Sequence, residues 1–268
     1  MKIVILCICL VSTSLFASLK SDFIQSKTKN YTAISLEEFD IGIKLFSLLF
    51  AQKNIPLQNK YLKILKLSVH KYQNTLVILD TDQRGWGFYI IKHNIKKGSL
   101  LSIPHRFYDI GTAQIAKKMF LKFPYKAIAF NTVSRKVMDT AHSKYTLFDA
   151  FHLAFVRLFP KQNSYQLHGF TPKTRDSYKA KIAQAIVSST HIPSTTSKNI
   201  VSCMQGFQDH VMLYGEDVFE LGGTSNAQGR LLKQEGYRYF THIELSQTFR
   251  KNLKKDALLR KHLYKCLP

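Results

Sequence analysis

Two histidines and two carboxylates of this chain lie in or directly after short apolar segments with the composition of β-strands. His105 ends one such segment, Asp109 follows it by four residues, His168 ends a second, and Glu244 lies within a third. Two imidazoles and one carboxylate are ligands that zinc takes, and a set of three leaves the fourth position open for water. We therefore predict a catalytic zinc site formed by His105, Asp109 and His168, with Glu244 as the general base.

The segment that contains Glu244 reads HIELS at 242–246. Apolar residues alternate with His242 and Glu244 there, so these two polar side chains point to the same face of a strand. A glutamate in an apolar strand needs a partner or a catalytic role, because an unpaired buried charge is costly. His242 either orients Glu244 or is a structural residue, and the sequence leaves both interpretations open.

Five other polar residues are candidates for contacts with a substrate. Arg135 could stabilise an oxyanion or bind a substrate carboxylate, although a simple surface arginine has the same sequence signature. Asn131 follows a predicted strand, and His142 is a candidate for a substrate contact or for support of a metal ligand. Asn226 and Arg230 lie in and just after a glycine-rich segment, where they either bind a carboxylate or belong to an ordinary surface turn.

Apolar residues at helical spacing predict the elements that must position these side chains. The predicted helices cover residues 37–52, 113–123, 146–159, 176–189 and 246–264. Ser35, three residues before Glu38, predicts a capping box for the first of them. The predicted loops include a polar connection at 53–60, a Ser/Thr/Pro-rich stretch at 191–199 and the glycine-rich segment at 220–229.

Apolar, β-branched and aromatic runs predict the strands. They cover residues 62–72, 75–79, 87–91, 99–104, 125–130, 165–167, 200–204 and 239–245. Strands that alternate with helices favour an α/β protein with three α/β/α layers and a twisted mixed sheet. Ligands of such sheets bind at the carboxyl ends of strands, where His105, Asn131, His168 and Glu244 are predicted to lie.

The amino-terminal residues have the pattern of an export signal. Lys2 precedes an apolar stretch, Ile3 to Phe16, and small residues follow at 17 and 18. We predict a signal peptide at 1–18, a helical extension at 19–60 and a catalytic domain at 61–268, and hence a periplasmic or secreted protein. An uncleaved amino-terminal membrane anchor is the alternative, although the stretch is shorter than the ~20 residues of a spanning helix.

The chain is strongly basic, with 39 Lys and Arg against 17 Asp and Glu and a formal charge of +22 over 268 residues. Such a balance favours polyanionic partners. For an exported protein we expect carboxylate-bearing peptides or polymers, or an anionic envelope surface, rather than nucleic acid. After removal of a signal, Cys203 and Cys266 remain. They could form a disulfide in an oxidising compartment or stay as two separate buried thiols.

Three segments together resemble the poly-γ-glutamate hydrolase branch of the zinc-carboxypeptidase-like superfamily, which is related to N-formylglutamate amidohydrolases. The residues that carry the resemblance are His105, Asp109, Gly111, Thr112, Ile115 and Ala116 in the first segment, Leu167, His168 and Gly169 in the second, and Glu244, Leu245, Ser246 and Arg250 in the third. The resemblance implies a phosphorylase/hydrolase-like fold for about residues 65–255 and zinc-dependent cleavage of an amide bond.

The first segment departs from the family pattern. The loop after the first histidine is usually glycine-rich and one residue longer, and its acidic ligand is Glu; here the loop is Arg106, Phe107 and Tyr108, followed by Asp109. This departure affects the expected substrate more than the expected metal.

Taken together, the sequence predicts an exported zinc-dependent peptidase or amidohydrolase. Peptidoglycan peptides and γ-glutamyl polymers are the leading substrate classes. One alternative is a catalytically inactive relative that binds an anionic envelope polymer. Another is a basic nucleic-acid-binding protein, which only the charge suggests because no helix-turn-helix pattern is visible.

Overall fold

The computed structural model describes residues 21–189 and 192–267. Its helices and strands, in chain order, are α1 (Leu36–Ala51), α2 (Ile55–Ile64), β1 (Leu67–Tyr72), β2 (Thr75–Asp80), β3 (Phe88–Lys92), β4 (Leu100–Ile103), α3 (Thr112–Lys122), β5 (Ala127–Phe130), α4 (Leu147–Leu158), β6 (Ser164–Phe170), α5 (Tyr178–Ile182), β7 (Ala185–Ser188), α6 (Thr195–Gln205), β8 (Val211–Leu213), α7 (Ala227–Gln234), β9 (Phe240–Ser246), α8 (Gln247–Lys255) and α9 (Ala257–Lys265).

The strands form one mixed sheet in the order β1-β2-β3-β5-β4-β6-β9-β7-β8. Strands β5, β4, β6 and β9 are neighbours that run parallel. Antiparallel pairs join β1 to β2, β2 to β3, β3 to β5 and β7 to β9. The carboxyl ends of β4, β6 and β9 therefore meet at one edge of the sheet, which is where the predicted site residues lie.

Helices cover both faces of the sheet, as predicted for three α/β/α layers. One core contains apolar residues of α3, α6, α8 and α9, and the other contains those of α1, α4 and α7. Neighbouring residues of a strand point into opposite cores: Leu101 belongs to the first and Leu100 to the second, and both are fully buried. The fold class predicted from the sequence is confirmed.

The amino-terminal extension packs tightly on the rest of the protein. Helix α1 begins with the predicted capping box between Ser35 and Glu38 and lies along α4. A Cβ atom at Gly42 would lie 2.6 Å from the Leu147 side chain, so glycine permits the close approach of these two helices. Phe23, which precedes α1, packs edge-on against aromatic rings of the sheet.

Two predictions near the start of the sheet are wrong. The polar connection predicted at 53–60 is part of α2, because the Asn54 side chain caps the backbone N–H of Leu57 and Pro56 is compatible with a first helical turn. Helix α2 continues to Ile64, so the strand predicted at 62–72 begins only at Leu67.

Four predictions in the second half are also wrong. The helix predicted at 176–189 is a single short helix, α5, followed by the strand β7, whose four buried residues, three of them apolar, have no helical period. The loop at 191–199 and the strand at 200–204 are instead mostly helix α6, which the Ser194 hydroxyl caps. The closing helix is divided into α8 and α9 at Asp256, whose carboxylate caps α9.

Cys203 of α6 and Cys266, just after α9, form a disulfide with their Cα atoms 5.5 Å apart. Of the two interpretations left open by the sequence, the structure therefore contains the bonded pair. Within the described ranges, no helix is long and apolar enough to cross a membrane. The signal peptide or anchor predicted at 1–18 lies outside the described residues.

Candidate active site

The turn after β4 places the side chains of His105 and Asp109, the first two predicted ligands, on the same side of the turn. The backbone N–H groups of Tyr108 and Asp109 both donate to the carbonyl of His105, at 3.0 and 2.9 Å. This single helical turn brings side chains four residues apart to the same face. Gly111 then begins α3 with a φ of 102°, a left-handed conformation that glycine adopts without a steric cost.

The three predicted ligands converge on one carboxylate oxygen. Oδ2 of Asp109 lies 3.4 Å from Nδ1 of His105 and 3.3 Å from Nδ1 of His168, and the two imidazole centroids are 4.8 Å apart. This oxygen has no hydrogen-bond partner in the described part of the chain. All three side chains are buried. The edge of the sheet brings together His105 and His168, which are 63 positions apart in the sequence (168 − 105).

The separations fit a bound ion better than they fit hydrogen bonds. A tetrahedral ion with bonds of roughly 2.0–2.1 Å places neighbouring ligand atoms roughly 3.3–3.4 Å apart. An N–H···O bond is normally about 2.9–3.0 Å long. Oδ2 of Asp109 is thus a buried acceptor without a donor, and it faces one nitrogen of each imidazole at this spacing. This is the arrangement expected around one divalent cation.

The far nitrogen of each imidazole has its own partner. Nε2 of His105 lies 2.7 Å from Oδ1 of Asp139, and Nε2 of His168 lies 2.8 Å from Oε1 of Gln166. Both partners are acceptors, so Nε2 carries the hydrogen and donates it, which leaves the Nδ1 lone pair directed towards Asp109. Such outer partners fix the orientation of metal-binding histidines.

A buried polar chain continues behind His168. Nε2 of Gln166 donates to Oε1 of Gln228 at 3.1 Å, and Nε2 of Gln228 donates to Oδ1 of Asp149 at 2.6 Å. Asp149 is fully buried, and its burial raises the pKa of this carboxyl to about 6. Because the amide groups of Gln166 and Gln228 both have hydrogen-bond partners, the orientation of the Gln166 carbonyl that accepts from His168 is fixed.

Charges within the site shift the pKa values of the ligands in opposite directions. Burial opposes ionisation of Asp109, but the neighbouring His105 and His168 lower its pKa well below the usual range. Burial lowers the pKa of His168, whereas the carboxylates of Asp109 and Asp139 outweigh burial and raise that of His105. The site thus contains an ionised carboxylate and, at His168, an imidazole held in the neutral form that can bind a cation.

Glu244 lies next to this cluster on the neighbouring strand. It is in register with His168 across the parallel pair of β6 and β9. Its Oε2 atom is buried and lacks a hydrogen-bond partner among the residues described. Burial, reinforced by the charge of Asp109, raises the pKa of the Glu244 carboxyl to about 8. A carboxyl with this property beside a cation site can accept and release a proton near neutral pH.

His242 occupies the same strand face, as the alternation predicted. Its ring lies 4.4 Å from that of His168, and its Nε2 is 3.9 Å from Oε1 of Glu244, which is beyond hydrogen-bond distance. The Cβ atom of a larger residue at Gly223 would lie 2.8 Å from the His242 ring. His242 therefore packs between His168 and the glycine-rich segment and does not orient Glu244 through a hydrogen bond.

One buried guanidinium connects the three segments that carry the site. Arg250 of α8 donates to the carbonyls of Ile110, Phe170 and Leu245. These carbonyls belong to the residues one or two positions after Asp109, His168 and Glu244. A Cβ atom at Gly169 would lie 2.1 Å from Nη1 of Arg250, so glycine is required for the guanidinium to fit.

The cluster lies at the base of a cavity of about 610 Å³. Arg135 and His142, two of the predicted contact residues, line it together with Arg175. Asp139 fixes the first two: its Oδ2 accepts from Nε of Arg135 at 2.8 Å and lies 3.0 Å from Nδ1 of His142. The cavity lining therefore combines cationic side chains with the carboxylates of Asp109 and Glu244.

The structure does not bring every predicted contact residue to the cavity. The side-chain amide of Asn131 donates to the backbone carbonyls of Pro104 and Val133, so this residue stabilises the loop after β5 and lies outside the cavity lining, and its substrate contact stays a prediction. Arg230 donates to the carbonyl of Thr224 and lies outside the cavity lining, which makes it a support of the loop.

Asn226 does line the cavity but is buried, with 2% of its surface exposed. Its Oδ1 caps the backbone N–H of Gly229 at the start of α7, and its Nδ2 donates to Oε1 of Gln166. Both polar atoms therefore support the loop and the site, and the contact with a substrate carboxylate stays a prediction. Asn226 helps to hold the Gln166 side-chain amide, whose oxygen also accepts the hydrogen bond from His168.

Asp139, Gln166 and Arg175 were not assigned a role from the sequence. Gln166 had a usable signal, because it lies two residues before His168 and strand periodicity places both on one face. Asp139 and Arg175 follow in loops, where no periodicity relates them to the ligands. Nε of Arg175 is buried without a hydrogen-bond partner in the described structure, and this side chain lines the cavity.

Comparison with known proteins gives similarity in structure only. No family model matches the sequence, and no curated protein is similar enough in sequence to be matched. Similar solved structures include a gene product of Agrobacterium tumefaciens, with 15% identity over 65% of this chain and 89% of that one and a TM-score of 0.48.

Two other similar structures bear the names of the families that the sequence motifs resemble. A bacteriophage poly-gamma-glutamate hydrolase shows 11% identity over 64% of this chain and 82% of that one, with a TM-score of 0.37. An N-formylglutamate amidohydrolase from Ralstonia eutropha shows 9% identity over 63% of this chain and 93% of that one, with a TM-score of 0.41. At these values the site has to be interpreted from the chain's own geometry.

Proposed function

We propose that this protein is a metal-dependent hydrolase that cleaves an amide bond in a carboxylate-bearing peptide or polymer. The observation that carries the proposal is the unpartnered Oδ2 of Asp109 between two imidazole nitrogens at 3.3 and 3.4 Å, with the unpartnered carboxyl of Glu244 on the next strand. A purely structural cluster would satisfy both carboxylates with donors, since an unpaired buried acceptor costs about 1–3 kcal/mol.

Zinc is the proposed metal. Two imidazoles and one carboxylate form the ligand set of several catalytic zinc sites, and a closed structural site would have a fourth protein ligand. When bound, such an ion would polarise the scissile carbonyl and lower the pKa of water. The three residues that would hold it are His105, Asp109 and His168.

The other groups of the site have proposed roles that follow from their positions. Glu244 takes a proton from the attacking water and passes it to the leaving nitrogen. Nε of Arg135 is bonded to Asp139, so its terminal nitrogens are the ones that would stabilise the oxyanion. Asp139 therefore has two functions, because it orients both His105 and the proposed oxyanion donor.

The substrate class is inferred from charge. Arg135, Arg175 and His142 line the cavity, and the acidic side chains in its lining are the Asp109 and Glu244 of the proposed machinery. A carboxylate-bearing substrate complements this lining and the overall charge of +22. Peptidoglycan peptides and γ-glutamyl polymers are the proposed candidates, in a periplasmic or secreted protein.

Metal content tests the proposal directly. We expect about one zinc per wild-type chain and little in His105→Ala or His168→Ala, with His262→Ala as the matched control because this histidine stacks on Phe207, away from the cluster. Circular dichroism would show that the variants fold. Wild-type zinc content in both ligand variants would refute the site.

Turnover provides the second test. Glu244→Gln should keep its zinc and lose hydrolysis of γ-glutamyl and peptidoglycan-derived peptides, because the amide cannot accept the proton from water. Retained turnover in this variant would refute the role of the general base. Zinc binding without hydrolysis by the wild type would favour a polymer-binding relative instead.

A further inference from the structure

A second concave surface lies on the α3/α9 layer, apart from the residues of the candidate site. It is a groove of about 580 Å³ between the end of α3 and the start of α9. We call it the α3/α9 groove, and its lining residues are Lys118, Leu121, Lys122, Phe123, Ala257, Leu258, Arg260 and Lys261. None of these residues lines the active-site cavity.

The groove combines an apolar lining with a basic rim. Its four uncharged lining residues are all apolar, and its four charged lining residues are all cations. Leu258 has 60% of its surface exposed, although it is a large apolar side chain. Two of the cations are tethered to the fold: Nζ of Lys118 donates to the carbonyl of Lys254, and Nη1 of Arg260 donates to that of Leu253.

The surrounding helices reinforce the positive charge. The segment 250–265, which contains most of α8 and all of α9, has seven basic residues and one acidic residue. The basic ones are Arg250, Lys251, Lys254, Lys255, Arg260, Lys261 and Lys265. The acidic one, Asp256, uses its carboxylate to cap α9. Electrostatic complementarity therefore requires an anionic occupant.

The chemistry of the lining favours lipid over an acidic peptide. The lining side chains are apolar or cationic, so they offer no acceptor to the backbone N–H groups of an extended peptide, and a buried N–H without an acceptor is costly. An acyl chain has no such groups, and its anionic headgroup would meet the lysines and the arginine at the rim. Apolar side chains flanked by lysines are the pattern of proteins that lie on a membrane surface.

From this juxtaposition we propose that the α3/α9 groove docks the protein on the surface of a bilayer that contains anionic lipids. Leu258 enters the boundary between headgroups and acyl chains, and the four rim cations contact lipid phosphates. This proposal goes beyond the proposed hydrolase function and does not depend on it, because metal binding and turnover involve none of the groove residues.

The test is sedimentation of the full chain with vesicles of 70% phosphatidylcholine and 30% phosphatidylglycerol, against pure phosphatidylcholine. Neutralising two rim residues in Lys122→Gln/Lys261→Gln should weaken binding about 30-fold, since each basic residue near such a surface contributes about 1 kcal/mol. The control Lys60→Gln/Lys63→Gln removes the same charge from exposed positions of α2, outside the groove. It should bind as the wild type does, because charges far from the surface are screened.

A second pair of variants tests the contribution of the exposed leucine to membrane binding. Leu258→Ser should weaken binding at least about tenfold, because burying a leucine side chain contributes about 1.5–3 kcal/mol. Leu36→Ser alters an equally exposed leucine, 66% exposed at the start of α1, and should change nothing. The apolar stretch of residues 3–16 is present in every variant and cancels in these comparisons.

Three results would overturn the proposal. Equal binding to both kinds of vesicle would show that anionic lipid is not recognised. Equal losses in groove and control variants would show that only net charge matters. Binding of soluble poly-glutamate through the same residues, without binding to vesicles, would make the groove an acidic-protein or polyanion site.

Discussion

Replacing Glu244 by glutamine should make the metal-free protein more stable, by an amount that grows with pH. The carboxyl of Glu244 has an ordinary pKa of 4.5 when exposed, and burial raises it to about 8 in the folded protein. The folded state therefore binds this proton more tightly than the unfolded state does. Glutamine fills the same space without ionising, so the variant does not have this pH-dependent cost.

The sign and size follow from proton linkage. Below pH 4.5 the carboxyl is protonated in both states, and the difference between the two proteins does not vary with pH. As pH rises from 4.5 to about 8, the free energy of unfolding of the wild type falls by about 1.4 kcal/mol per pH unit relative to that of the variant. Above pH 8 the difference levels off, on the order of 5 kcal/mol in total.

The assay is urea unfolding of both proteins in a chelator at several pH values from 4.5 to 9. Glu216→Gln is the control, because it removes an exposed carboxyl outside the cavity lining, where the surface ion pair with Lys198 contributes little. Zinc should reduce the slope of the Glu244 difference, since a nearby cation favours the ionised carboxylate. A stability difference that is constant with pH, or that falls as pH rises, would refute the assignment of Glu244 as a strained buried acid.

Three other changes test the supports of the site and the fold. Asp139→Asn should lower zinc affinity 10- to 100-fold by equilibrium dialysis, because the outer partner of one imidazole is weakened; unchanged affinity would exclude that role. Gly169→Ala should cost about 1–3 kcal/mol in urea unfolding, because the new methyl group overlaps the guanidinium of Arg250 at 2.1 Å. Gly206→Ala should cost less, because the atom nearest to its new methyl group is the Cys203 carbonyl oxygen at 3.2 Å. Cys203→Ser opens a loop of 63 residues, so unfolding in oxidising buffer should require about 2–5 kcal/mol less, and a smaller loss would show that the disulfide does not constrain the unfolded chain.

The clustering of His105, Asp109 and His168 could be predicted because its signals are local. A turn of four residues relates His105 to Asp109, and strand-end positions place His168 and Glu244 at the same sheet edge. The α/β/α layers followed from the alternation of strands with helices. Strand β7 was missed because a run of three apolar residues next to a short helix has no period that distinguishes a strand from a helix.

The substrate contacts were harder to predict, because a side chain's role depends on which neighbours use its polar atoms. Asn131 and Asn226 have the composition expected of a binding loop, yet their amides are bonded to the backbone and to Gln166. Asp139 lies 34 residues from His105, and nothing in their local sequence relates them. These contacts depend on tertiary packing, which one sequence does not reveal.

The position of Arg250 shows how the fold relates stability to the proposed chemistry. Its guanidinium is bonded to a carbonyl in each of the three segments that carry Asp109, His168 and Glu244, so a displacement of one segment alters the hydrogen bonds to the others. The same cation lowers the pKa of Glu244, although burial dominates. A metal ion bound at the proposed site would add a second positive charge near that carboxyl. The buried acid would then cost stability in the metal-free protein and less with the metal bound, which would couple metal binding to folding at this edge of the sheet.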